Sequence, residues 1–307
     1  MNKKNYTLFA ICISAGLMLT GLSSCKKDDP APTPTQKNIV EIVVSDPNFS
    51  RLKQAVVKAG LTSLLSSGSL TVFAPDNAAF AAAGLDSATI ESIPGNVLGL
   101  ILKYHVLNAK VEASGVPASD TVNTLDGINL YASSNANGVF VNGIKVKTAN
   151  VQASNGVIHV ISDVLLPPTE TIAEVVSGDT NFEVLLAAVV RAGLASAVSS
   201  NGKYTVFAPT DAAFAAAGFP DAASINLAPQ NAVTAIVKAH IIGTNVFASD
   251  LINASTAATL QTGTTLTIGT NPASVKVTGS ANPASNVTEA NITTTNGVIH
   301  VIDRVLL

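Results

Sequence analysis

Apolar positions along the chain follow two periods, and these alternate in the same order twice. Beyond Asp46, Phe49, Leu52, Val56 and Ala59 recur at steps of three and four, the spacing of one buried helix face. Asp46 is placed to cap this helix, Pro47 suits its first turn and Gly60 its end. Asp179, Phe182, Leu185, Val189 and Gly193 repeat the pattern. A short apolar run follows each time, LTVFA from Leu70 and YTVFA from Tyr204, of strand rather than helix length. Asp76 or Thr210 then caps an Ala-rich helical stretch carrying Phe80 or Phe214. Further on, Val139–Val146 reads as two β-runs around an Asn142-Gly143 turn, a tight hairpin. Asn155-Gly156 and Asn296-Gly297 each precede Val-Ile-His-Val-Ile, a continuous apolar run expected of a buried strand. Helices gathered early and strands gathered late predict an α+β domain.

The repetition is literal. TVFAPDNAAF at 71–80 returns as TVFAPTDAAF at 205–214, an offset of 134, and NGVIHVISDVLL at 155–166 returns as NGVIHVIDRVLL at 296–307, an offset of 141. Two long matches in the same order mean tandem domains. The growth in offset places insertions in the second copy, expected in the Gly/Asn/Pro/Ser-rich turns from Gly263 to Asn286.

These two boxes, with Tyr104-His105 between them, resemble the fasciclin-type (FAS1) domain family, which is marked by TVFAPTNxAF, a central Tyr-His and NGVIHVIDxVL. The resemblance covers about Lys37 to Leu307. It implies a β-wedge of about seven strands with helices packed on one side, and adhesion or contact with matrix and glycans rather than a common catalytic site. The second copy departs at Ala239-His240, where an aromatic contact or hydroxyl bond is missing. In the first copy Ser162-Asp163 displaces the last box's acidic group by one position, to the other face if that segment is a strand.

Lys3 and Lys4, the apolar stretch Thr7–Leu22 and Leu22-Ser23-Ser24-Cys25 have the build of an export signal. The tetrad resembles the lipobox of bacterial lipoproteins, which implies acylation of Cys25. Lys26-Lys27-Asp28-Asp29 is similar to the export tag of surface lipoproteins of Bacteroidetes, with a hydrated tether as the plain alternative. The expected division is therefore a lipoprotein signal peptide at 1–24, lipidated Cys25 and a Pro/Thr tether at 25–36, a first FAS1-like domain at 37–168 and a second at 169–307.

Composition narrows the chemistry. At 307 residues the chain has room for about two domains. With 47% hydrophobic and 12% charged residues it is neither disordered nor a coiled coil. A net charge of -3 gives no basic field for nucleic acid. Two Cys exclude a disulfide scaffold, and His105, His159, His240 and His300 each sit in a repeated box, the pattern of a structural residue copied with its fold. No catalytic, cofactor-binding or metal residues are expected, and the protein is expected not to be an enzyme: no GxSxG elbow, P-loop, GxGxxG turn or EF-hand loop is present. Asp76 reads as a helix cap, because Thr210 replaces it. Ser87 and Thr121 lie in Asp-Ser/Thr-aliphatic triplets that resemble the O-glycosylation pattern of Bacteroidetes, with ordinary turn or cap residues as the alternative.

The expected protein is a lipid-anchored outer-membrane protein exposed at the cell surface, its membrane contact made through the lipid. Matrix protein, glycan or neighbouring cells are the expected ligands, bound multivalently. The alternative is a structural envelope scaffold without an external ligand. Ligand-binding residues are not assigned beyond polar loops around Ala113–Asp120 and Thr270–Ala290, and oligomeric state is open.

Overall fold

Each copy folds its strands into one seven-stranded sheet. The first copy contains β1 (Leu70–Pro75), β2 (Val106–Leu107), β3 (Ser119–Asn123), β4 (Asn129–Asn135), β5 (Gly138–Val141), β6 (Ile144–Ala153) and β7 (Gly156–Ile161). They lie in the order β2-β1-β7-β6-β5-β4-β3, with β1 and β7 parallel and the other neighbours antiparallel. The second copy contains β8 (Tyr204–Pro209), β9 (Ile241–Ile242), β10 (Thr256–Ala258), β11 (Thr265–Asn271), β12 (Ser274–Thr278), β13 (Ser285–Thr294) and β14 (Gly297–Ile302). Its order is β10-β11-β12-β13-β14-β8-β9, again with one parallel pair, β14 and β8. This computed structural model describes residues 36–306 except 201, 252, 272, 273 and 280–282. The expected signal peptide, Cys25 and the tether up to residue 35 lie outside the described residues. From Gln36 onward the chain is one compact unit.

The continuous apolar runs are explained by apolar layers on both faces of β1 and β7. Leu70, Val72 and Ala74 pack with Leu52, Val56 and Leu98 of the helices, whereas Phe73 joins Tyr104, Leu130 and Val141 on the opposite face. The second copy divides the same way, Val206 and Ala208 toward the helices and Phe207 toward Leu266, Ile268 and Val277. Helices thus cover one side of each sheet, and the sheet folds over a second core on the other.

The predicted helix from Asp46 is corrected in two respects. Asp46 Oδ1 accepts the Asn48 N–H at 2.9 Å, two residues on, which closes a 3₁₀ turn, Pro47–Phe49, before the α-helix Ser50–Lys58 begins. Asp179 does the same with Asn181. Each is preceded by a further helix, Ile39–Ser45 or Ile172–Gly178, opened by a reciprocal capping box, Asn38 with Glu41 and Thr171 with Glu174. Asp76 and Thr210 cap the Ala-rich helices as expected, accepting the N–H of Ala79 at 2.8 Å and of Ala213 at 3.3 Å.

Gly156 and Gly297 are required by the parallel pairing. A Cβ on Gly156 would lie 2.0 Å from Leu70 O, and one on Gly297 2.1 Å from Tyr204 O. The preceding Asn155 takes the Ile39 N–H and donates to Leu65 O, both at 2.9 Å, tying the first helix to the sheet; Asn296 repeats this with Ile172 and Val198.

The hairpin is a two-residue turn with Asn142 and Gly143 at φ 46° and 77°, as its sequence requires. In the second copy the last paired residues of the corresponding strands, Val277 and Ser285, are separated by seven positions against two between Val141 and Ile144, so most of the extra length enters within the expected region. The segment Thr270–Ala290, expected as loop, is largely strand in β11, β12 and β13. Asp163 and Asp303 both lie beyond strands that end at Ile161 and Ile302, so the displaced acid changes partner rather than face. Asp163 caps its own Val164 N–H, whereas Asp303 holds Asn286 N and Ser285 Oγ at the start of β13.

Candidate functional site

The four histidines form two matched pairs, each ring bonded at both nitrogens. His105 Nδ1 donates to Ile101 O at 2.7 Å and Nε2 accepts the Leu165 N–H at 2.9 Å; His240 repeats this with Ile236 O and Leu306 N at 2.8 Å each. His159 and His300 take the opposite tautomer. Nε2 donates to Val111 O at 2.9 Å or Val246 O at 2.8 Å, and Nδ1 accepts the N–H of Asn150 or Asn291 at 3.3 Å. Asn150 and Asn291 are the left-handed bulge residues of β6 and β13, at φ 60° and 65°. Burial pushes the His105 and His240 rings down to about 4, and it also lowers His159 and His300. Each neutral ring is thus a backbone fastener with no nitrogen left to hold a proton or metal. Among the described residues no group of three or more His, Cys, Asp and Glu could hold a metal ion.

Tyr104 has a role that Ala239 cannot repeat. Its hydroxyl donates to Asn129 O at 3.2 Å and accepts from Asn142 Nδ2 at 2.7 Å, while Asn142 Oδ1 takes the Tyr131 N–H at 2.9 Å. Burial raises the phenol to about 12. The tyrosine pins the hairpin turn, and the copy with the lengthened turn has alanine.

That pinned turn is part of the seam between the copies. Tyr131 packs on Phe247, ring centroids 5.0 Å apart, with Val298 in the same apolar cluster. Ser133 Oγ donates to Asp250 Oδ1 at 2.6 Å and Asn135 Nδ2 to Ser249 O at 2.8 Å. Gly143 approaches so closely that a Cβ there would lie 2.7 Å from Asn291 Nδ2. Of these residues Val298 alone belongs to a repeated box, and it reads there as strand core; the others lie outside the boxes, so the sequence does not mark them as a site.

Two openings flank the seam and share Asn142 and Thr293. The smaller, about 100 Å³, is lined in part by Lys203, Thr121 and Asn245, whose buried Oδ1 accepts no hydrogen bond among the described residues. The larger, about 580 Å³, lies between the hairpin tip, the connecting segment 163–170 and the bulged part of β13. Pro167, Pro168 and the exposed Leu166 form part of its wall, with Asp163 and Glu170 as its charged residues.

The remaining candidates are dispersed. Ser87 is exposed at the start of the helix Ser87–Ser92, capped by Asp86, and donates to Gln54 Oε1 at 2.8 Å. Thr121 is half-buried in β3 and its N–H bonds Asp120 Oδ1. The segment Ala113–Asp120 is a 3₁₀ turn leading into β3. Among the described residues no helix is long and apolar enough to cross a membrane.

Comparison with known proteins places both copies in one family. The Fasciclin domain family model matches residues 47–167 and 180–307. Transforming growth factor-beta-induced protein ig-h3 of Sus scrofa is 29% identical over 247 residues, 78% of this chain and 35% of that protein. Protein sll1483 of Synechocystis is 44% identical over 143 residues, 45% of this chain and 78% of that protein. A solved FAS1 domain pair from the insect cell adhesion molecule fasciclin I superposes with a TM-score of 0.43 at 18% identity, covering 85% of this chain and 97% of that one. The chain spans about a third of the length of ig-h3. Two repeated boxes, two seven-stranded sheets and matches to both halves make this chain a member of the fasciclin domain family.

Proposed function

We propose that this protein is an adhesion module of the cell envelope, anchored at the outer membrane by lipid on Cys25 and displayed at the cell surface, where its two domains contact matrix protein, glycan or neighbouring cells. The observation that carries this reading is the fasciclin match of both halves, since fasciclin domains are found in cell-adhesion and extracellular-matrix-related proteins. The histidine geometry agrees with it, because all four imidazoles are committed to backbone partners. The anchor rests on the Leu22–Cys25 tetrad. Ser87 suits O-glycosylation better than Thr121, being exposed rather than half-buried on the smaller cavity.

Binding of the unit Gln36–Leu307 to matrix proteins, glycans and whole cells at near-physiological salt tests the reading. Saturable binding to one class supports adhesion; uniform absence of binding by the folded unit overturns it and favours an envelope scaffold. Cys25→Ala should move the full chain from the membrane to the soluble fraction, and full retention would remove the anchor from the proposal. Intact-mass measurement of Ser87→Ala and Thr121→Ala reports on the glycans.

A further inference from the structure

The larger opening belongs to neither copy alone: Asn142, Ile144 and Asp163 come from the first, and Val175, Asn291 and Thr293 from the second. Its volume of about 580 Å³ is that of clefts that hold ligands, roughly 300–1,000 Å³, and domain junctions are where such clefts concentrate.

Three features of the walls select the ligand's chemistry. The charged residues in the wall are Asp163 and Glu170, both exposed, and neither forms an ion pair among the described residues. Lys203 lines the smaller cavity and not this cleft. The cleft therefore presents uncompensated negative charge and attracts cations. Next, no aromatic ring is among the described residues that line it, so the face on which a sugar would stack is missing; Leu166, Ile144 and Ile292 instead offer aliphatic surface. The third feature is backbone. β13 meets β12 only through Ser285 and Asn286, and from Val287 to Thr294 it has β14 on one side and no paired strand on the other among the described residues. Thr295 N donates to Glu170 O at 2.8 Å, so the connecting segment already bonds just beyond the end of this strand. An open strand edge is completed by another extended chain, whose alternate side chains enter flanking pockets.

We infer that the cleft binds an extended, basic peptide segment of a partner protein, which adds to the edge of β13, rests apolar side chains on Leu166, Ile144 and Ile292, and places lysine or arginine at Asp163 and Glu170. This rests on the adhesion reading and names its partner class and site. It makes the domain pair, rather than either domain, the binding unit.

The test uses the full chain and three probes: a fluorescein-labelled octapeptide alternating lysine and valine, its glutamate counterpart, and a neutral polysaccharide. The lysine peptide should bind saturably, more weakly as salt rises, and the other two should not. Asp163→Asn with Glu170→Gln should weaken it about tenfold, as loss of two exposed charge contacts predicts. Ala290→Trp, at an exposed position in the cleft wall, should abolish it by filling the cleft while thermal unfolding stays unchanged. Absence of lysine-peptide binding, equal binding by both variants, or binding of the polysaccharide alone overturns the inference. Binding to matrix or cells that survives both variants leaves the adhesion reading standing and removes the cleft from it; peptide binding without any matrix or cell binding sinks the adhesion reading instead.

Discussion

His105 accepts the N–H of Leu165, sixty positions further along the chain, at 2.9 Å, and so fastens the end of the helix Gly95–Tyr104 to the segment that follows β7. The bond exists only while Nε2 is unprotonated. His240 and Leu306 form the same link in the second copy.

Stability should therefore fall in mild acid. The folded rings titrate at about 4 against an ordinary 6.5, so the unfolded chain binds protons first as pH drops. The stabilisation is fully present above about pH 6.5 and declines until the folded rings titrate near 4, costing about 3 kcal/mol for each histidine. Urea unfolding from pH 7.5 to 4 should show this slope. It should flatten for His105→Gln, at reduced stability, and a profile that ignores both rings would contradict the assignment.

Tyr104→Phe should cost about 1–3 kcal/mol, because it strands the buried Asn142 amide as well as removing a bond. Ala239→Tyr should not gain this back in the second copy, where the sequence between β12 and β13 holds no Asn-Gly pair to receive the hydroxyl. Denaturant midpoints of the two variants compare the effects directly.

Gly156→Ala should be among the most damaging single changes, at about 4 kcal/mol or more, since its Cβ would meet the backbone oxygen of Leu70 at 2.0 Å. The parallel pairing of β1 and β7 must open to relieve that contact. Circular dichroism melts should show the first domain lost while the second persists.

Phe247→Ala should loosen the seam. It removes a buried ring from contact with Tyr131 and costs about 3 kcal/mol or more. Calorimetry should resolve a single transition into two, and small-angle scattering should show a larger radius. An unchanged profile would mean that Ser133 and Asn135 hold the junction without the aromatic pair.

Much of this architecture could be read in the residues, because repetition reports structure: the boxes around Phe73, His159, Phe207 and His300 are buried on both faces in both copies. The helix Ile39–Ser45 is not legible from periodicity, because seven residues give too little of it, although Asn38 and Glu41 carry its capping signature. Spacing reveals the helix beyond Asp46 but not its 3₁₀ first turn, since an aspartate that bonds two residues on and one that bonds three on look alike in sequence. The seam was invisible for a different reason. Ser133 and Asp250 are 117 positions apart and neither recurs, so no spacing or repeat links them.

Non-recurrence at the seam has a directional consequence. Thr71 receives the Val111 N–H as Thr205 receives that of Val246, so Glu112 and Gly115 occupy the stations of Phe247 and Asp250. The pairings Ala132 with Val141 and Ile268 with Val277 likewise put Thr267 and Gly269 at the stations of Tyr131 and Ser133. If the copies exchanged places along the chain, glutamate would face threonine and two glycines would stand where a hydroxyl meets a carboxylate. The duplicated halves are alike in fold but do not commute: their order is written into the junction.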